Sequence, residues 1–165
     1  MAPILNIIVR KIKDWLKMAN VIVDLKKAKE ILLNSRFTFV LLKDGEIKKT
    51  SHKRGVIPFM EIIRENDQIL EDAIIADKVI GKATALLAAG HKAKAIYAEI
   101  ISQKAREILD HYSIYYRFNH CVDYIMNRNK NGQCPMEKLT WELEDPSIAY
   151  QNILKYYQEV LKIDL

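Results

Sequence analysis

The sequence is poor in cysteine, with only Cys121 and Cys134 among its 165 residues. It does not open with the basic, apolar and small-residue segments of a secretory signal. A reducing cytoplasmic setting without a structural disulfide is therefore expected. No apolar run approaches the roughly 20 residues that a membrane-spanning helix needs. We expect a soluble cytoplasmic protein whose length fits one domain.

Outside its first 20 residues, the chain has little net charge. The formal net charge is +5, and that opening segment carries four basic residues against Asp14 alone. The remainder of the chain is nearly balanced. A phosphate-backbone partner needs basic charge clustered on one face, so nucleic acid is not an expected partner.

Residues 1–20 differ in composition from the rest of the chain. Their apolar positions approximate a helical stripe beside the four basic residues: Ile4, Leu5, Ile8, Ile12, Trp15 and Leu16. One interpretation is an N-terminal extension that the domain, residues 21–165, does not need. The other is an amphipathic anchor that lies on a membrane surface or on a partner.

Helix and strand patterns alternate along the domain. Asp44-Gly45 separates two β-prone runs and suits the positive φ angles of a tight hairpin turn. We predict strands at 37–42, 46–51, 93–100, 114–118 and 139–143, and helices that start at Asp24, Pro58, Asp77, Ser102, Val122 and Asp145. This order predicts a three-layer α/β/α fold with a five-stranded mixed sheet opened by an antiparallel hairpin.

Two segments carry a family resemblance: N-R-N-K-N-G-Q-C-P-M-E-K-L-T at 127–140 and A-D-K-V-I-G-K-A at 76–83. With the hairpin, they resemble a small uncharacterised prokaryotic family that has a cytidine-deaminase-like fold. The resemblance covers about residues 24–161. It implies the strand order 2-1-3-4-5, with the first strand antiparallel to its neighbours, and an assembly into dimers.

The chain departs from the zinc deaminases at both metal motifs. Those enzymes hold zinc with H-x-E at one helix start and P-C-x-x-C at another. Here the matching segments begin at Asp77 and Ser102 and contain no such ligands. We therefore expect no zinc-dependent deamination, no metal and no cofactor, and whether the protein is an enzyme stays open. His111, His120, Cys121 and Cys134 have no familiar ligand spacing.

A ligand pocket is predicted where the helices that start at Asp77 and Ser102 meet beyond the strand ends. Helix N-terminal amides favour an anion. Lys78 and Lys82 fall four residues apart near one of these helix starts, where the macrodipole disfavours cations unless an anion is bound. Alternatively, both lysines are solvated surface charges.

The loop at 127–140 supplies the sharpest candidate, Cys134. A nearby Arg128 would stabilise its thiolate for nucleophilic chemistry, while Glu137 would oppose that effect or carry a proton. Asn127 and Lys138 are candidate ligand contacts. The alternative is a structural turn with a small buried thiol.

Two further candidates lie outside that loop. Glu99 stands at the end of its predicted strand and could act as a base, or it is an edge carboxylate in water. Arg54 could bring a guanidinium to an anionic ligand, or it belongs to an ordinary loop.

These features support three hypotheses about function. The leading one is a zinc-free, deaminase-like domain that binds a small anionic or nucleotide-like molecule. The alternative is a non-enzymatic interaction module that forms a homodimer. The third is association with a membrane surface through residues 1–17.

Overall fold

The protein is described by a computed structural model that covers residues 2–163. The helices are α1 (Ala2–Asn34), α2 (Ile57–Asn66), α3 (Lys82–Gly90), α4 (Gln103–His111), α5 (Pro135–Thr140) and α6 (Pro146–Lys155). The strands are β1 (Phe39–Lys43), β2 (Glu46–Ser51), β3 (Ile74–Ile80), β4 (Ala95–Ser102) and β5 (Tyr115–Val122). A 3₁₀ turn, Asp67–Ile69, follows α2, and a π-helical turn, Tyr156–Val160, follows α6.

The five strands form one mixed sheet in the order β2-β1-β3-β4-β5. β1 runs antiparallel to both β2 and β3, whereas β3, β4 and β5 are parallel to one another. The sheet opens with the predicted hairpin, whose turn residues Asp44 and Gly45 have φ angles of 54° and 74°. The α/β class, the mixed five-stranded sheet and the expected strand order are therefore confirmed.

Alternate residues of the central strands pack against different helical layers. Phe39 and Leu41 of β1 belong to an apolar cluster covered by the helices that come after the hairpin. Val40 and Leu42 belong to a second cluster covered by α1. Because successive side chains of a strand point to opposite faces, one strand serves both layers. The result is the expected α/β/α arrangement, with α1 on one face and later helices on the other.

The helix expected to start at Asp24 in fact starts 22 residues earlier in the described chain, at Ala2. Nothing between Lys17 and Asp24 breaks the backbone hydrogen bonding, since that stretch contains neither glycine nor proline. Asp24 is thus an interior residue of α1. The buried face that α1 lays on the sheet is Val21, Leu25, Ala28 and Leu32.

The prediction that a helix begins at Asp77 is wrong for the first turn of that helix, because residues 74–80 form the central strand β3. Ile74 and Ile75 pair with β1 on one side and with β4 on the other. A strand buried on both faces has a continuous apolar run instead of an alternation, so its period is hard to recognise. The helix α3 begins only after Gly81.

The strand predicted at 139–143 and the helix predicted at 122–126 are also wrong. Pro135 instead opens the short helix α5, which buries Met136 and Thr140. β5 continues to Val122, and no helix occupies residues 123–126. The strand at 139–143 was predicted but is not formed, and β3 is formed but was not predicted. These two errors cancel, so the predicted total of five strands still agrees with the structure.

Three helix boundaries agree with their capping signals. The Ser102 hydroxyl accepts a hydrogen bond from Ala105 N–H at the start of α4. The Asp145 carboxylate accepts from the N–H groups of Ser147 and Ile148 before α6. α3 ends at Gly90, as expected. These boundaries depend on local chemistry, which the sequence contains.

Candidate functional site

Two helices begin side by side at the carboxyl edge of the parallel strands. β3 leads through Gly81 into α3, and β4 leads through Ser102 into α4. Ile80 and Ile101, near the two strand ends, are paired in register. The two sets of N-terminal amides are therefore neighbours, as the predicted pocket requires, although one helix starts at Lys82 and not at Asp77.

The start of α3 is occupied by a carboxylate of the chain itself. Glu137, in the first turn of α5, accepts a hydrogen bond from Lys82 N–H at 3.0 Å through Oε2. A Cβ added to Gly81 would collide with this oxygen and would lie 3.1 Å from Ile125 Cγ1. Only glycine leaves room for so close an approach. The predicted hollow is thus filled by Glu137, with Ile125 beside it.

Burial makes this carboxylate electrostatically costly. Glu137 is 1% exposed, and burial raises its pKa above the ordinary value. The Ser102 hydroxyl and the backbone N–H groups of Lys82 and Ile125 oppose the rise. By hydrogen-bond geometry, Oε1 has no partner among residues 2–163. The site therefore holds a carboxyl group whose hydrogen-bonding capacity is satisfied only in part.

Lys82 is buried beside this carboxylate, whereas Lys78 is exposed on β3. The two lysines do not share a helix. The Lys82 ammonium donates to the carbonyl oxygen of Trp141 at 2.6 Å. Burial lowers its pKa, and the charge of Lys104 adds to that effect. The amine is held against the turn after α5 and does not extend into solvent.

Asp77 is a buried strand residue and not a helix cap. It lies opposite Phe39 of β1 and Ala98 of β4 and is 3% exposed. Its Oδ1 accepts from Val79 N–H at 3.0 Å, while Oδ2 is buried without a partner in the described chain. Burial raises the pKa of Asp77 to about 7, and the backbone N–H groups of Val79 and Lys78 oppose the rise.

Cys134 is the N-cap residue of α5 and is partly buried. Its N–H donates to the carbonyl of Ile125 at 2.8 Å, and its side chain packs against the larger apolar cluster. Tyr157 is close enough to respond to both Cys134 and Arg128. Burial is the main cause of the raised pKa of Tyr157; the Cys134 charge adds to the rise and the Arg128 charge opposes it.

The other predicted site residues are distributed more widely. Glu99 lies on the α1 face, where the Tyr97 hydroxyl donates to it and holds its pKa below the ordinary value. Asn127 closes the 127–132 turn through its own backbone and side chain. Three side chains are exposed in loops or on the surface of α5: Arg54, Arg128 and Lys138.

Gly81, Ile125 and Trp141 belong to the site but are not among the predicted site residues. Gly81 had a usable signal, since it separates an apolar β-prone run from an alanine-rich helix. The sequence carries no signal for the contacts of Ile125 and Trp141, because each contact joins residues that lie far apart along the chain.

The geometry of residues 2–163 also bears on three other kinds of site: a metal site, a membrane-spanning helix and a cavity. Within that range, no three His, Cys, Asp or Glu side chains are grouped to hold a metal ion. No helix of the described chain is long and apolar enough to cross a membrane. A cavity of about 580 Å³ runs along β5, and one of about 410 Å³ lies between α1 and the turn after α4. Neither is lined by residues of the Glu137 site.

The glycine at position 81 can be tested by a single methyl group. Its φ of −97° is accessible to alanine, so backbone strain is not at issue. We expect Gly81→Ala to lower the free energy of unfolding by about 2 kcal/mol, because the methyl displaces Glu137 from its hydrogen bond. Urea denaturation measures the loss.

Two further comparisons make that measurement decisive. Gly132→Ala is the matched control, since its Cβ would meet only ordinary van der Waals contact at 3.7 Å from Asn127 Nδ2. In a Glu137→Ala background the cost of Gly81→Ala should shrink. Equal costs in both backgrounds would show that the two residues are not coupled.

Asp77 predicts a specific dependence of stability on pH. Its folded pKa of about 7 exceeds the ordinary 3.8, so between those values the folded state keeps a proton that the unfolded state has lost. Stability should therefore fall as pH rises through this window, by up to about 1.4 kcal/mol per pH unit, and level off above it.

Asp77→Asn should flatten that slope, because asparagine does not ionise. Urea denaturation between pH 4 and pH 8 measures both slopes, and the exposed Asp110→Asn controls for loss of a carboxylate. The raised pKa of Glu137 also makes stability fall as pH rises, and it does so in both the parent chain and Asp77→Asn. The difference between their two slopes therefore isolates the contribution of Asp77. Identical slopes would show that Asp77 is already ionised in the fold.

Comparisons with known proteins agree with this architecture. No curated protein matches the chain. A DUF1893 family protein (TM1506) from Thermotoga maritima, known from its crystal structure, matches with a TM-score of 0.73 and 25% sequence identity. The match covers 79% of this chain and 87% of that one. The sequence model of TM1506, a domain of unknown function (DUF1893), matches residues 27–156. The chain therefore belongs to the DUF1893 family.

Proposed function

We propose that the domain binds a small anionic, nucleotide-like molecule at the carboxyl edge of the sheet, in competition with the Glu137 carboxylate. The observation that supports this is the carboxylate itself, which occupies the start of α3. Helix N-termini stabilise anions through free N–H groups and the macrodipole. The chain fills that position with an anion of its own.

The internal anion is a poor occupant, which leaves room for a better one. Glu137 is buried, its pKa is raised, and Oε1 has no partner among the described residues. A phosphate or ligand carboxylate would use the same amides while Glu137 regained solvent. The exchange lowers the desolvation cost of the protein's own carboxylate.

The segment that carries Glu137 is the part of this edge that can move. α5 is only six residues long. The loop before it is mostly exposed and is closed by one isolated bridge, between Met126 and Gln133. Rearranging this loop together with α5 would disturb the buried Met136 and Thr140 but leave the sheet intact. Arg128 and Lys138 are exposed on the same segment and would be available to the ligand.

Any chemistry at this edge would use Cys134 as nucleophile and Glu137 as proton carrier. Both belong to the start of α5. We leave Glu99 out of the site because it lies on the α1 face of the sheet. Binding is the function proposed; no reaction is assigned.

Ligand-dependent melting tests the binding site. We expect inorganic phosphate or a nucleoside phosphate to raise the melting temperature of the full chain. Glu137→Gln keeps an oxygen for Lys82 N–H but removes the competing charge. It should bind the same ligand roughly tenfold more tightly, equivalent to about 1.4 kcal/mol.

The matched control is Glu71→Gln, an exposed carboxylate that comes after the 3₁₀ turn. Its affinity should equal that of the parent chain. An absence of any ligand-dependent shift in both the parent chain and Glu137→Gln would remove the proposed site.

A second candidate function, homodimerisation, is favoured by the open edge of the sheet. β5 is an eight-residue edge strand without proline, and its outer side has no strand partner among residues 2–163. Phe118 and Val122 are each 37% exposed on it, and Tyr116 stacks on Phe118. The opposite edge, β2, carries lysines, which natural edge strands use to prevent pairing.

Antiparallel pairing of β5 with β5 of a second copy would satisfy both edges at once. Such a contact is self-complementary and closes with two-fold symmetry. It would extend the sheet across the dimer and cover the groove that residues 114–118 line.

Sedimentation equilibrium tests this edge with one matched pair of variants. We expect the parent chain to dimerise and Phe118→Lys to weaken the association at least tenfold, because it replaces an exposed apolar contact by a charge on both copies of the pair. Ile47→Lys places the same charge on an exposed residue of β2 and should leave the dimer unchanged. A monomeric parent chain at micromolar concentration would rule the dimer out.

A further inference from the structure

The first half of α1 exposes an apolar surface that the fold does not use. Every residue from 2 to 18 is exposed. The large apolar side chains among them are mostly half or more exposed, and Trp15 reaches 70%. Scattered apolar residues on a surface are ordinary, but a continuous set of this size marks an interaction site.

Most of these side chains fall on one side of the helix, and Ile7 and Met18 lie outside that side. At about 100° per residue, an arc of about 140° contains only apolar side chains between positions 4 and 19. They are Ile4, Leu5, Ile8, Val9, Ile12, Trp15, Leu16 and Ala19. Ile22 and Val23, which are 49% and 64% exposed, continue the same face. It extends for about 30 Å along α1.

The apolar face points away from the domain. The residues that dock α1 on the sheet are Val21, Leu25, Ala28 and Leu32. Their mean direction is about 160° from that of the apolar arc around the same helix axis. The chain's own sheet therefore cannot cover this face while α1 stays straight.

The polar side of the same segment is basic. It carries Arg10, Lys13 and Lys17, with Asp14 the single acidic residue before position 24. Lys11 borders the apolar arc on one side and Lys13 borders it on the other. A wide apolar face with tryptophan, set against a lysine- and arginine-rich face, is the pattern of helices that lie in a membrane interface.

A second copy of the chain fits the same face poorly. An arc of about 140° is wider than the two-position seam of a coiled coil. Residues beside such a seam meet across the pair, and here both flanks carry lysine, so two copies would repel each other. A spanning orientation is also excluded for the described residues, because α1 is not apolar enough to cross a bilayer.

We propose that residues 2–23 of α1 lie in the surface of an anionic membrane, with the apolar face among the acyl chains. The basic side chains then reach the anionic headgroups along the edges of the helix. Because the docking face is on the other side of α1, the α/β domain would sit on the water side. The site is separate from Glu137, and all of it precedes residue 27, where the family match begins.

Vesicle co-sedimentation of the full chain tests the proposal. We expect binding to vesicles that contain phosphatidylserine, weaker binding to phosphatidylcholine alone, and a decline as salt is raised. Ile8→Gln with Ile12→Gln should weaken binding at least tenfold without a change in charge. Lys13→Gln and Lys17→Gln should each weaken binding to the anionic vesicles roughly fivefold.

The matched control is Ile47→Gln with Ile148→Gln, which alters two isoleucines of similar exposure, 51% and 49%, elsewhere on the domain. It should bind as the parent chain does. Tryptophan emission should shift to shorter wavelength with anionic vesicles, and Trp15→Phe should abolish the shift, which separates Trp15 from Trp141.

Two outcomes would overturn the proposal. One is a parent chain that ignores anionic vesicles, or that binds them equally well after Ile8→Gln with Ile12→Gln. The other is a dimer that the same double substitution converts to monomer, which would assign the face to a second copy. The β5 edge variants leave this segment untouched, so the two dimer interfaces remain distinguishable.

Discussion

The hydrogen bond from Lys82 N–H to the Glu137 carboxylate links distant elements at the carboxyl edge of this domain. It joins residues 55 positions apart and brings the end of β3, the start of α3 and the start of α5 to one point. Gly81 makes the approach possible, and the Ser102 hydroxyl lies beside it at the start of α4. Every candidate role at this edge depends on whether that carboxylate stays or leaves.

Buried charge, more than apolar packing, distinguishes the edge from the rest of the core. Asp77, Lys82 and Glu137 are each less than 5% exposed, yet each carries an ionisable group. Burial raises the pKa of Asp77 and of Glu137 and lowers that of Lys82. Each shift favours the neutral form of the side chain. Folded proteins seldom keep such groups where apolar residues of similar size would be more stable, which is why we propose the binding site at this edge.

The long helix α1 combines two environments in one element. Its second half packs on the sheet through a narrow stripe that includes Ala28 and Leu32. Its first half turns a wider apolar face in nearly the opposite direction. The helix does not need to bend for the two halves to face different ways, because the direction of each side chain follows from its position in the sequence. The amphipathic pattern of residues 1–20 is recognisable in the sequence, but the direction in which that stripe points depends on how α1 docks on the sheet.

Local chemistry in the sequence was sufficient to predict the hairpin at Asp44-Gly45, the caps at Ser102 and Asp145, and the α/β class, because each depends on neighbouring residues. Only the tertiary structure decided that residues 74–80 form the central strand. It also decided that Glu137 fills the predicted hollow. Those outcomes rest on pairing with distant strands and on a contact across 55 residues, which no local pattern encodes.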